Sequence, residues 1–385
     1  MRERKICFSI LMVFSILVVF AENGFASLTR TRTMGDVTMI IRDDANLWIF
    51  PATICSNANL ANFELGGNSE LLSYYPANYG FDKSVGGIIT CGKSRNGKIG
   101  TYWSETVSRN SFLTYPSSTG NTDSKLDLFY GQSTKDGAIG MHFEHHADLY
   151  KTTSGDNNSK ISNTRSRLDI GQSTNNRDLA FGYQLTTYYN KAGSNDAQTI
   201  YNHHLNLSYR RFRNVSETLL ITPFIIAQLE LEKNNINHSD GIAGNIWAGC
   251  GTSYLIDEHD LIVLGLSAVY SHTILSFIQQ DKTTINLDLP FIFGGFESKP
   301  VDWLALRFGF QKKIQRSINI TKNNNSENKT DQTQAPFAAT AGIGLKYKRL
   351  EVDYSYNLNF LRRGPYFLSG EEGNLGNLIS IKYTL

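Results

Sequence analysis

The feature that most restricts this chain is a turn signal that returns about every forty residues, separating long segments with strict two-residue alternation. The turns are Arg95-Asn96-Gly97, Lys135-Asp136-Gly137, Asn175-Asn176-Arg177, Arg213-Asn214, Asp257-Glu258-His259 and Lys299-Pro300. Asn-Gly and Asp-Gly tolerate positive φ and close tight hairpins. The beat is reinforced by an echo, since Gly131-Gln132-Ser133-Thr134 returns as Gly171-Gln172-Ser173-Thr174. The repeating unit is therefore one long hairpin. Between turns, Val352, Tyr354, Tyr356, Leu358 and Phe360 fall on one face, with Asp353, Ser355, Asn357 and Asn359 on the other. Leu179, Phe181, Tyr183 and Leu185 oppose Ala180, Gly182, Gln184 and Thr186 in the same way. Such a period makes a two-faced strand.

Alternation alone fits either a soluble sandwich or a membrane barrel. Segment length separates them, because residues 200–212, 218–232 and 261–278 far exceed the usual five or six residues of a globular strand. Long polar stretches, among them residues 108–123, 151–160 and 322–334, lie opposite the short turns, the asymmetry of an outer-membrane barrel. The last of them is too polar to bury a core and is expected as an external loop. The chain ends on Ile379, Ile381, Tyr383 and Leu385, alternating with Ser380, Lys382 and Thr384. This end resembles the carboxyl-terminal signal read by the outer-membrane barrel assembly machinery, with Leu385 where Phe is usual. A further turn near Arg349-Leu350 and strands at residues 64–72 and 377–385 bring the expected count to about 14 to 16.

Composition removes several other classes. Mean hydropathy of -0.28 excludes a bundle of membrane helices, each of which needs about 20 apolar residues. A formal charge of +2 argues against a nucleic-acid partner, which selects a strongly basic face. The only long apolar run, Ile6 to Phe20, follows a basic start and precedes small residues up to Ala26, so residues 1–26 are expected to be a secretory signal peptide. Cys55, Cys91 and Cys250 are odd in number and widely spaced, neither a disulfide framework nor a metal pattern.

Residues 27–61 do not alternate and must be something other than wall. They contain Asp43, Asp44, Ala45, Asn46, Trp48, Phe50, Pro51 and Ala52. Here the chain resembles the FadL-type family of outer-membrane transporters for long-chain fatty acids and other hydrophobic compounds. Asp43 to Asn46 match the family's acidic stretch, and Pro51-Ala52 match the end of its Asn-Pro-Ala hatch motif, with Phe50 in the place of the Asn. The resemblance implies a barrel of about 14 strands, a lumen closed by the amino-terminal segment, a hydrophobic pocket and a lateral opening where a wall strand kinks. Pro223, Gly86-Gly87 and Pro290 with Gly294-Gly295 are candidate kinks.

Within residues 218–232, Leu220, Phe224 and Ile226 face inward although apolar. They either line a pocket for a hydrophobic ligand or pack against the amino-terminal segment. Asp43 and Asp44 are expected to pair with Arg210, Arg307, Lys313, Lys346 or Lys382, because buried charges need partners. His142, Glu144, His146 and Asp148 share one strand face, with His145 opposite, but residues about 7 Å apart along a strand meet one metal poorly. No nucleophile elbow, zinc-protease motif or phosphate loop occurs. The reading is thus a single all-β transmembrane antiparallel barrel over residues 62–385, plugged by residues 27–61, in the outer membrane of a Gram-negative-type bacterium. It takes up hydrophobic small molecules by diffusion, with no enzyme activity, catalytic residue, metal or cofactor, and its partners are ligand, membrane lipid and the assembly machinery. The rivals are a general porin for hydrophilic solutes, which would conduct ions in large steady steps, and a structural or adhesive barrel, whose loops could be trimmed without loss of uptake.

Overall fold

The computed structural model describes residues 27–66, 83–91, 96–107, 122–154, 157–192, 198–234, 240–277, 280–323, 326–358 and 378–385. The expected signal peptide lies outside them, as do residues 108–121 of the first expected external loop. The described strands form one closed antiparallel sheet. Closure is made by β1 (Leu60–Gly66), which pairs on one side with β2 (Lys83–Cys91) and on the other with β18 (Leu378–Thr384), from Leu60 opposite Thr384 to Gly66 opposite Leu378.

Two of the eighteen strand segments continue others. Arg213–Asn214 (β9) prolongs β8 (Gln198–Arg211) past Phe212, both lying along β10 (Leu219–Asn234). Ser326–Gln334 (β15) runs into β16 (Phe337–Tyr347) past Ala335-Pro336, both lying along β14 (Leu304–Asn323). Pro336 has no N–H for the ladder, so the strand breaks there. The wall therefore has 16 strands, the upper end of the expected range and not the 14 that the family resemblance implies.

The faces settle membrane barrel against sandwich. Phe181, Ile170 and Leu266 stand 52%, 53% and 57% exposed on the outside, whereas their neighbours Ala180, Asp169 and Ser267 are buried within. A soluble sheet covers its apolar face and wets its polar one; this barrel does the reverse, which only a hydrocarbon surround stabilises, by about 25 cal/mol per Å² covered. The molecule is an outer-membrane β-barrel.

Three expectations shift in register. The turn placed at Arg213-Asn214 lies at residues 215–218, because those two residues still pair with Ile221 and Leu220. The turn placed at Lys299-Pro300 lies at Asp302-Trp303. The stretch expected as an external loop is strand in its described part: Ser326 to Gln334 pair in register with Asn323 to Gln315, every side chain of β15 exposed. This hairpin rises on backbone hydrogen bonds from a wall strand already in place and needs no core of its own. Residues 151–154 and 157–160 likewise extend β5 (Gly137–Ser154) and β6 (Asn157–Ser173) as paired strands.

The candidate kinks also separate. Gly86-Gly87 and Gly294-Gly295 sit in regular register on both sides. Pro223 pairs with Cys250 but has no partner toward β8 and β9, where its missing N–H is tolerated. Leu289-Pro290 is the strongest irregularity, since the register of β13 (Gln280–Val301) shifts against both neighbouring strands there.

Candidate functional site

The site is built by residues 27–57, which lie against the inner faces of strands around the wall. Local signals shape them first. Ser27 caps α1 (Leu28–Thr33) by accepting from the Arg30 N–H. Asp43 caps the 3-10 turn Asp44–Trp48: its carboxylate accepts from Ala45 N–H at 3.1 Å, while its own N–H donates to the Asn46 side chain at 2.9 Å. Pro51 opens the 3-10 turn Pro51–Ser56, where its fixed φ and missing N–H are harmless. The acidic stretch and the Pro-Ala pair are thus two turn starts. Asn46 makes the hydrogen bonds within the segment, and Phe50, in the place of the family's Asn, is fully buried beneath the Arg210 guanidinium at 4.6 Å.

Buried charge holds the segment to the wall. Arg30 donates to Glu297 at 2.8 and 2.9 Å and to Asp43 at 2.8 Å. Arg307 reaches Glu297 at 2.6 Å and Asp353 at 2.5 Å, and Asp353 accepts from Ser27 at 2.6 Å. Burial acts to lower the Arg30 guanidinium pKa, yet the Glu297 and Asp43 carboxylates outweigh it and hold the group above its ordinary value. Arg210 donates to Asp178 at 2.8 Å, to the carbonyls of Thr38 and Ile41 at 2.7 and 2.9 Å, and to the Asn46 side chain at 2.7 Å. Of the five cations expected to meet Asp43 or Asp44, Lys382 pairs with Asp44 at 3.1 Å. Arg210 serves backbone instead, Arg307 is linked to Asp43 only through Glu297 and Arg30, and Lys313 and Lys346 pair with Asp288 and Glu351.

The repeated Gly-Gln-Ser-Thr has a purpose that sequence alone does not reveal. Gly131, Gly140 and Gly171 stand opposite one another on three adjacent strands. A Cβ on Gly140 would lie 2.5 Å from Ala52 backbone, one on Gly171 3.1 Å from Pro51, and one on Gly131 2.2 Å from Ile54. The three form a seat for the Pro51–Ser56 turn. We expect Gly140→Val to unseat it: limited proteolysis of the folded barrel should cut within residues 43–57 at least tenfold faster than in the parent, and equal protection would refute the seat.

The two halves of the lumen differ. Phe224 and Ile226 are buried in a cluster with Trp247, Phe291 and Phe293, against Met34, Ile40 and Phe50 of the segment. Those positions are filled by packing. Leu220 is separate, lining a cavity at the short-turn end. On the other side Trp48 meets Tyr102, Phe129 and His142 edge-on at 5.2, 5.0 and 5.8 Å. His142, Glu144 and His146 point inward and His145 outward as expected; the Asp148 side chain lies outside the described residues. His142 is held between Asp127 at 2.9 Å and Asp169 at 2.8 Å. Asp127, His142 and Glu144 are close enough for a metal, but the Lys125 ammonium stands 3.3 Å from both carboxylates and supplies the charge a cation would. Lys125, Asp127, Arg167 and Asp169 escape a reading of one strand because each joins His142 from a neighbouring one.

No protein family matches the chain, and no curated protein matches it in sequence. Solved structures do resemble it in outline. The toluene transporter TodX from Pseudomonas putida aligns over 94% of this chain and 97% of its own at 10% identity and TM-score 0.35. The ferric-catecholate import receptor Fiu from E. coli K12 aligns over 85% and 81% at 6% identity and TM-score 0.36. CdiB from Acinetobacter baumannii aligns over 84% of this chain and 59% of its own at 7% identity and TM-score 0.42. Likeness at this level carries no functional argument, so the reading below rests on this chain's own geometry.

Proposed function

We propose that the protein is a gated uptake channel for hydrophobic small molecules such as long-chain fatty acids, with residues 27–57 as its plug. One observation carries the proposal: among the described residues, no backbone-to-backbone hydrogen bond joins residues 27–57 to a wall strand. Beyond its covalent continuation into β1, the segment is held through side chains, from Arg210, Gln311, Thr222 and Thr340 to its carbonyls and through the Arg30 ion pairs. It is a removable part inside a permanent wall. Withdrawing it uncovers Phe224, Trp247, Phe291 and Phe293, an aromatic path suited to an apolar body, while Lys125, Arg165 and Arg167 on the far side are matched by Asp127, Glu144 and Asp169 and make a polar wall with no net charge. A porin for hydrophilic solutes has no use for the aromatic side. Outward-facing Tyr, Phe and Leu meet membrane lipid, and no step needs a cofactor.

The test is deletion of residues 43–52. In planar bilayers the parent should be nearly silent and the deletion should conduct in steady steps, with faster entry of a fatty acid into vesicles. Unchanged conductance, uptake and ligand-binding isotherm in a correctly inserted deletion variant would discard the gating claim.

A further inference from the structure

The cavity lined by Leu220, of about 390 Å³, opens at the short-turn end of the wall, the end that faces the periplasm in barrels of this kind. Its volume is within the range of about 300–1,000 Å³ that small-ligand sites occupy. Its apolar lining comes from Ile41 of the plug and from Phe212, Leu220, Leu255 and Leu261 of two adjacent hairpin ends, with Arg42 and Glu217 at the rim.

The charge arrangement here is lopsided. Arg210 and Arg42 both face the single buried carboxylate of Asp178, at 2.8 and 3.7 Å. Arg210 is wholly buried and spends its donors on Asp178, Asn46 and two plug carbonyls. Arg42 instead lies over the Phe212 ring, its guanidinium carbon 4.3 Å from the ring centre and its side chain 43% exposed, and donates a hydrogen bond to the Thr174 carbonyl. Two guanidiniums share the one buried carboxylate, and Arg42 is the one that keeps donors toward solvent; Glu217, across the mouth, balances the total charge without an ion pair to Arg42 among the described residues. Guanidinium donors match a carboxylate two at a time. Glu217 is exposed in the turn at residues 215–218 and repels a carboxylate, so a ligand's head turns to Arg42 and away from that turn.

We infer that this cavity is a periplasmic binding site for a small carboxylate amphiphile, its head on Arg42 and its tail on Phe212, Leu220 and Leu261. It deepens the uptake reading, resting on it for the direction of traffic: cargo that has passed the plug would pause here before release, on a site that includes a plug residue. Binding itself needs no transport.

The test is photolabelling of the full chain in lipid nanodiscs with an octanoate that carries a diazirine at its tail, mapped by mass spectrometry. Adducts are expected on peptides covering residues 212–220 and 255–261, displaced by octanoate and not by octanol. Arg42→Gln should lower them at least tenfold, Arg42→Lys should restore part, and Leu220→Trp should abolish them by filling the cavity, with barrel folding checked by heat-dependent gel mobility. Labelling that is unchanged in Arg42→Gln, or displaced equally by octanol, overturns the inference. Because no flux is measured, a failed gating test leaves this result standing, and a negative result here leaves gating untouched.

Discussion

Arg210→Met is expected to open the channel. Arg210 is 0% exposed and joins the wall carboxylate of Asp178 to the Thr38 and Ile41 carbonyls and the Asn46 amide oxygen. Methionine retains most of the volume and removes every donor. Asp178, with no exposed side-chain surface, loses its closest cation, and of the three plug acceptors the Thr38 carbonyl and the Asn46 amide oxygen keep one donor each, from Asn46 and Asp43. Breaking a buried pair from one side costs about 3–5 kcal/mol, and since 1.4 kcal/mol is tenfold, the undocked plug should become on the order of a hundred to a few thousand times more populated. Planar-bilayer recordings should turn from silence to frequent openings while heat-dependent gel mobility still reports a folded barrel. Arg210→Met with Asp178→Leu removes the orphaned carboxylate and should recover part of the closure, since replacing both partners is far milder than removing one. A single variant as silent and as protease-resistant as the parent would show that Arg210 does not hold the plug.

The sequence exposed what is local and concealed what is made by register. Hairpins such as Lys135-Asp136-Gly137 and the alternation at Leu179 to Leu185 were readable because turn dipeptides and a two-residue period act within a few positions. The turn at Arg213-Asn214 was misplaced by a few residues because a break at Phe212 lets the strand resume against Leu220 and Ile221. The strand at Ser326 to Gln334 was hidden by its composition, since its order comes from the neighbouring Gln315 to Asn323. In the site, Asp43 to Asn46 stood out, but their partners did not. Asp43 took Arg30, thirteen residues earlier in its own segment, a choice fixed by how the segment is turned within the lumen. Likewise the two Gly-Gln-Ser-Thr copies were visible as a repeat, yet a seat exists only once Gly131, Gly140 and Gly171 are brought opposite one another.

Glu297→Gln should loosen the other end of the plug. This carboxylate accepts from Arg30 and Arg307 at 2.6–2.9 Å, with Lys299 3.8 Å away. A neutral amide leaves those cations with Asp43 and Asp353 as their remaining close anions, again a loss of about 3–5 kcal/mol for a buried site. Hydrogen exchange should accelerate by two decades or more through α1, most strongly near Thr31 and Met34. Whether it also accelerates at Asn46 and Phe50 decides how the plug moves. Arg30 binds Asp43, and Asp43 caps the turn that positions Asn46 under Arg210, so the anchors share a chain of hydrogen bonds. Sites coupled in this way deviate from additivity by about 0.5–3 kcal/mol, whereas independent ones add within roughly 0.5. We therefore expect Glu297→Gln with Arg210→Met to cost less than the two singles combined, the first having already relaxed what the second disturbs. A strictly additive pair, with exchange confined to α1, would mean that the ends peel separately and that the plug does not leave as one body.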